Sequence, residues 1–261
     1  MDDMLVFSHI PKTAGSTFNS ILRKSFGAKM ISVIPESGTT YRKSDFELDF
    51  GLNNYPLGIS GHGLKPYVDF GEHEDNLQWV TFLRDPIERY VSQYLHQQVY
   101  GPDEFIMDLI PWSEKFARSN WQVKWLAGEE DLEKAKEIVH EKLAFIGVVE
   151  HFDESLQLMN QRFNNSLDIS YKAPKNVVKD KSLKKRLLGD DKIRKFIAEQ
   201  NELDIQLYNY VLDNIFYEQG VIGQPDPSPR SMSFIVEKSQ MYGFYFSNYF
   251  YRRGKKKLAN V

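Results

Sequence analysis

Met4-Leu-Val-Phe-Ser-His-Ile-Pro-Lys-Thr-Ala-Gly-Ser-Thr-Phe18 is the stretch whose reading decides the fold. Met4 to Phe7 is a short apolar run suited to a buried strand, and Pro11 stops it. From Gly15 the period turns helical, with Phe18, Ile21, Leu22 and Phe26 on one side. Strand, tight loop and helix in that order gather backbone N–H groups at a helix start, where dipole and donors favour an anion. Lys12 adds a positive charge there, and Thr13, Ser16 and Thr17 add hydroxyls. A phosphate-like group is the natural guest. The same residues also suit an ordinary α/β opening with Lys12 solvated. Neither G-x-x-x-x-G-K-[ST] nor G-x-G-x-x-G is present, because the lysine precedes the glycine.

Working outward, a second junction of the same kind follows Leu77-Gln-Trp-Val-Thr-Phe-Leu83, the clearest central strand in the chain. It leads into Arg84-Asp-Pro-Ile-Glu-Arg-Tyr-Val-Ser92, where Asp85 is placed to cap a helix, Pro86 suits its first turn and Glu88 has capping-box spacing. Ser92, eight residues after Arg84, lies where a helix could return its hydroxyl toward the guanidinium to grip one phosphate. Between the junctions, Leu57-Gly-Ile-Ser-Gly-His62-Gly reads as a strand ending in a glycine-flanked histidine. Gly61 and Gly63 are expected to leave room beside an imidazole suited to proton transfer near neutral pH. By itself a lone histidine in such a place is more often structural than catalytic.

The 261 residues, 41% hydrophobic and 26% charged, suit a folded chain with a full core. With no cysteine, a disulfide framework, a thiol nucleophile and Cys-based metal sites are excluded. His140 and His151 have no ligand-spaced partner, so no metal is expected. A formal charge of -3 argues against a general nucleic-acid binder. No window of about 20 apolar residues offers a membrane span, and Met1-Asp-Asp3 runs straight into the first strand, so a cytoplasmic location is expected.

Elsewhere, residues 40–56 show no period and read as an excursion over the acceptor side or a plain surface loop. Phe105–Ile110 reads as a short helix ended by Pro111, followed by helical stretches at 112–126 and 132–143. Phe145–Val149 is a further strand, 151–163 a helix, and 190–215 one long helix with a slip near Gln200. Tyr171–Ser182 is a basic, proline-marked loop. Beyond Gly220 a proline-rich break precedes an aromatic stretch and the basic run Arg252–Lys257, expected to dock back or to form an interface, through which the chain could oligomerise.

His9-Ile-Pro-Lys-Thr-Ala-Gly-Ser-Thr17 resembles the 5'-phosphosulfate loop of carbohydrate sulfotransferases related to heparan sulfate and dermatan sulfate 2-O-sulfotransferases. Arg84 to Ser92 resembles that family's 3'-phosphate motif, R-[DN]-P-x-x-R-x-x-S, and Asn120-Trp-Gln-Val-Lys-Trp-Leu-Ala-Gly128 a buried support seen in bacterial members. The likeness covers roughly residues 4–216, most densely 5–18 and 79–95. It implies a P-loop-like α/β three-layer sandwich with a central, mainly parallel sheet flanked by helices, over a domain at 1–219 with an extension at 220–261. It implies 3'-phosphoadenosine 5'-phosphosulfate (PAPS) as sulfuryl donor, a saccharide, polysaccharide or glycolipid acceptor, and no metal. Pro11, Lys12, Thr13, Ala14, Gly15, Ser16 and Thr17 would hold the phosphosulfate, Arg84 and Ser92 the 3'-phosphate, and Lys175, Asn176 and Ser182 a loop over the nucleotide. His62 would be the base and Lys12 would stabilise the leaving phosphate. An atypical P-loop kinase and a non-catalytic nucleotide- or glycan-binding module are the alternatives.

Overall fold

Five strands, all parallel, form the sheet among the described residues, in the order β2-β3-β1-β4-β5. They are β1 (Met4–Ser8), β2 (Met30–Ser32), β3 (Gly58–Gly61), β4 (Leu77–Leu83) and β5 (Leu143–Val148). The computed structural model describes residues 3–33, 40–52, 56–164, 166–171, 180–216, 244 and 248. Lys175, Asn176 and nearly all of the 220–261 extension lie outside the described residues.

Helix α1 (Gly15–Phe26) carries the chain from β1 leftward to β2, whereas α3 (Pro86–Tyr100), α4 (Leu109–Phe116), α5 (Trp121–Ala127) and α6 (Leu132–Glu141) lie between β4 and β5 on the right. Connections that leave neighbouring strands in opposite directions open a crevice at their carboxyl ends. Here that switch point lies between β1 and β4. Because all the strands are parallel, the segments after β1, β3, β4 and β5 emerge on one edge of the sheet.

The strands alternate their side chains between two apolar layers. On one face Phe7 and Phe82 pack edge-on or tilted against Phe18 of α1, and Phe82 meets Phe152 of α7 (Phe152–Arg162). On the other, Trp79 packs on Phe70, which meets Phe46 of α2 (Lys43–Leu52), and Ser8 meets Trp125 of α5. Buried aromatics of this kind contribute roughly 1.5–3 kcal/mol each. A second apolar cluster joins α3 and α4 to α8 (Lys181–Gly189) and α9 (Asp191–Gln200), through Tyr94, Trp112, Leu187 and Ile197 among others.

Several sequence expectations are corrected. Residues 43–52 are helical without showing a period, because Asp45 and Asp49 are buried beside Phe46, and Asp49 accepts the Tyr41 hydroxyl at 2.7 Å. Pro111 sits in the first turn of α4 instead of ending a helix. The long helix expected at 190–215 is broken at Asn201, between α9 and α10 (Glu202–Val211). Of the C-terminal extension, Phe244 is buried under the Arg23 guanidinium, and Asn248 accepts from Ser32 N at 3.1 Å while donating to Met30 O at 3.0 Å.

Candidate functional site

The loop after β1 carries two non-glycine residues in the left-handed region, Lys12 (φ 71°) and Ala14 (φ 59°). Such backbone costs energy and persists where its surroundings over-determine it. Thr13, between them, is buried and turns its hydroxyl inward to Ile10 O at 2.9 Å, so only its main chain faces the loop's concave side, a correction to its expected role as a hydroxyl donor. Ala14 then starts α1 with no side-chain cap. An uncapped helix start favours an anion.

His9, which sequence reasoning passed over, organises this loop. Its ring is stacked between Phe7, with centroids 5.3 Å apart, and His62, 4.1 Å apart, and Asn19 bonds its Nδ1 at 3.3 Å. A Cβ placed on Gly15 would lie 1.8 Å from His9 Nε2. The available signal was the glycine six residues after the histidine. Burial, reinforced by the charges of His62 and Lys12, holds the His9 pKa at about 3, so the ring is a neutral spacer at working pH.

His62 follows β3 and is thereby brought to the same edge. Its Nδ1 lies 2.8 Å from His9 O. A carbonyl can only accept, so Nδ1 carries the hydrogen and Nε2 keeps its lone pair. Burial lowers the His62 pKa against the opposing effect of that hydrogen bond, with Lys65 lowering it further. Gly61 does not clear space for a substrate as expected; a Cβ there would meet Val33 at 2.9 Å. Gly63 does line the cavity beside His62.

Arg84, at the end of β4, reaches across the switch point and donates from Nη1 to Lys12 O at 3.2 Å. Burial and this guanidinium depress the Lys12 pKa to about 8. Asp85 caps α3 by accepting from Glu88 N at 2.8 Å, as its spacing implied. The Glu88 carboxylate does not complete a capping box; it binds Arg84 Nη2 at 2.9 Å and Lys184 of α8 at 2.6 Å. Glu150, after β5, lies 3.9 Å from Arg84 Nε. Ser92 is buried on α3 and forms no direct hydrogen bond with Arg84. Ser182 lies at the start of α8 and donates to Asp180 at 2.8 Å.

A polar scaffold fixes Arg84 from behind. Gln122 accepts from Arg84 N and donates to Arg84 O, both at 2.9 Å. Asp204 of α10 caps α5 through the N–H groups of Gln122 and Val123, and Asn120, itself left-handed at φ 47°, returns a cap to α10 at Leu203 N. Gly128 ends α5 at φ 85° in the left-handed region.

Residues 1–122 match the model of a sulfotransferase family. The matched region includes the Lys12 loop, His62 and Arg84, and supports sulfuryl transfer as the general activity. No curated protein matches the chain closely enough to name a relative. No helix among the described residues is long and apolar enough to cross a membrane.

Proposed function

We propose that the chain is a PAPS-dependent sulfotransferase acting on a hydroxyl acceptor, for which the sequence resemblance points to carbohydrate. The observation that carries this reading is the meeting of three separate strand ends: Arg84 on the Lys12 carbonyl, and His62 locked by the His9 carbonyl with Nε2 free. The residues fit the donor. Two cations converge on an uncapped helix start, and the depressed Lys12 pKa reflects a charge that an anion would restore.

When bound, PAPS supplies the sulfuryl group and an anionic 5'-phosphate as leaving group. His62 Nε2 accepts the acceptor's hydroxyl proton as the acceptor oxygen bonds to sulfur. With the donor bound, Lys12 would offset the negative charge that passes to the departing 5'-phosphate oxygen. The main chain of Pro11 to Thr17 holds the phosphosulfate. Arg84 and Ser92 would hold the 3'-phosphate, with the Glu88 carboxylate that now binds Arg84 still paired to Lys184. Lys175, Asn176 and Ser182 complete the nucleotide side.

Calorimetric titration with adenosine 3',5'-bisphosphate, with ADP and 5'-AMP as controls, tests the reading. Selective binding of the bisphosphate, weakened at least tenfold by Arg84→Ala, supports it. Equal or tighter binding of ADP overturns it in favour of a phosphoryl-transfer enzyme.

A further inference from the structure

A cavity of about 670 Å³ opens beside His62 and runs between β3, α3, α4 and α5. Its volume is that of a small-molecule site. Its walls are largely aromatic, with Trp112, Phe116, Trp121 and Trp125 prominent, and none of its lining residues is a carboxylate. Three cations line it. Arg89 is fully buried on α3 and feels the charge of Asp204, whereas Lys65 and Arg118 are the two that reach the cavity beside the tryptophans.

Lys65 is 9% exposed and sits directly over the Trp125 ring, whereas Arg118 lies at the exposed mouth, 4.8 Å from the Trp121 ring centroid. Among the described residues neither forms an ion pair. A buried ammonium facing an open cavity with only an aromatic face for company is a costly arrangement. Burial, and after it Arg118, lowers the Lys65 pKa to about 6, and an anion beside the amine would favour its charged form. Gln93 and Arg89 also line this space, and Gln93 Oε1 and Arg89 Nε are buried without hydrogen-bond partners.

We propose that this cavity seats the acceptor as a single hydroxylated ring bearing a carboxylate or sulfate, held among its aromatic walls with its anion read by Lys65 and Arg118. The inference rests on the transfer reading for its use of His62 and goes beyond it in naming the acceptor's chemistry and the residues that select it. The ring enters from the side of Arg118, and its hydroxyl faces His62 at the inner end. Aromatic walls and an anion reader suit two sources of such a ring, a hydroxyaryl acid and an acidic sugar.

The test uses the full chain saturated with adenosine 3',5'-bisphosphate and follows tryptophan fluorescence during titration with two matched pairs. One pair is 4-hydroxyphenylacetate and 4-methylphenol; the other is methyl glucuronide and methyl glucoside. The expected result is that the anionic member of at least one pair binds ten or more times tighter than its neutral partner. Lys65→Met and Arg118→Gln each bring that ratio to threefold or less while leaving bisphosphate affinity unchanged. The pair showing the preference identifies the source of the ring. Equal binding within both pairs, a preference that survives both substitutions, or no binding of any probe at 10-fold above millimolar concentration overturns the proposal. A chain that prefers the anionic probes yet ignores the bisphosphate keeps the cavity assignment and loses the transfer reading, so the two failures are separable.

Discussion

Replacing Gly15 by alanine tests the site without knowledge of the acceptor. The new Cβ would lie 1.8 Å from His9 Nε2 and 1.9 Å from Cδ2. Ordinary carbon contacts need about 3.5–4.0 Å, so ring and helix must part by roughly 1.5–2 Å. The ring has little room to yield, since Phe7 and His62 stack on its two faces and Asn19 bonds its Nδ1. Overpacking of this sort costs about 1–3 kcal/mol, and each kcal/mol lowers the melting temperature of a chain this size by about 2–4 °C. Differential scanning calorimetry of unliganded Gly15→Ala is therefore expected to show a drop of roughly 2–12 °C. In a His9→Ala background, where the ring is absent, the same substitution is expected to cost less than about 0.5 kcal/mol. If glycine were needed only to admit a phosphate, unliganded stability would not change and ligand affinity alone would fall. A parental melting temperature for Gly15→Ala, or an undiminished loss when His9 is alanine, refutes the steric account.

His62→Asn keeps a side-chain donor for the His9 carbonyl but removes the free ring nitrogen; turnover is expected to fall about 10²–10⁴-fold with bisphosphate affinity within threefold of the parent. The parent's kcat/KM is expected to be level above neutrality and to fall on the acid side with a midpoint below the ordinary 6.5, because burial disfavours the charged ring; a midpoint above 6.5 contradicts this. Bisphosphate affinity is expected to weaken as pH rises through about 8, since unliganded Lys12 loses its charge there and bound anion opposes that loss; the trend should vanish in Lys12→Met, and a parental profile flat from pH 7 to 9 counts against it. Lys24 and Asp168 form a buried pair at 2.8 Å, so Lys24→Met is expected to cost about 3–5 kcal/mol in urea unfolding, and a loss under 1 kcal/mol would show the pair to be dispensable.

The sheet was legible in the sequence because buried parallel strands are short apolar runs with abrupt ends, and Leu77–Leu83 has both features. The two junctions were legible because Pro11 and Gly15, and later Asp85 and Pro86, are local signals for loop and helix start. Residues 43–52 were not, because Asp45 and Asp49 share a buried side with Phe46 and erase the apolar stripe on which a helix is recognised. The coupling of Glu88 to Lys184 across nearly a hundred residues has no sequence signature, and neither does the stacking of His9 on His62. Position in the chain named Lys12, His62 and Arg84, but only tertiary structure shows which nitrogen of His62 is free. Trp125 lies in the segment whose resemblance marked it as buried support and does donate to Ser8 at 2.9 Å, yet it also lines the cavity.

Asn248 carries a consequence for the edge of the sheet. Among the described residues strand β2 stands at the margin of the sheet, and the outward N–H of Ser32 and carbonyl of Met30 form one rung of a ladder that another polypeptide could extend. The Asn248 side-chain amide imitates a peptide group and occupies that rung, with its remaining hydrogen bond directed to Phe244 O. A single side chain thus acts as a decoy strand. Chains shortened before Asn248 would present a bare, hydrogen-bond-hungry margin, so their concentration-dependent self-association would report the loss of a chaperone-like plug and not a defect in the fold.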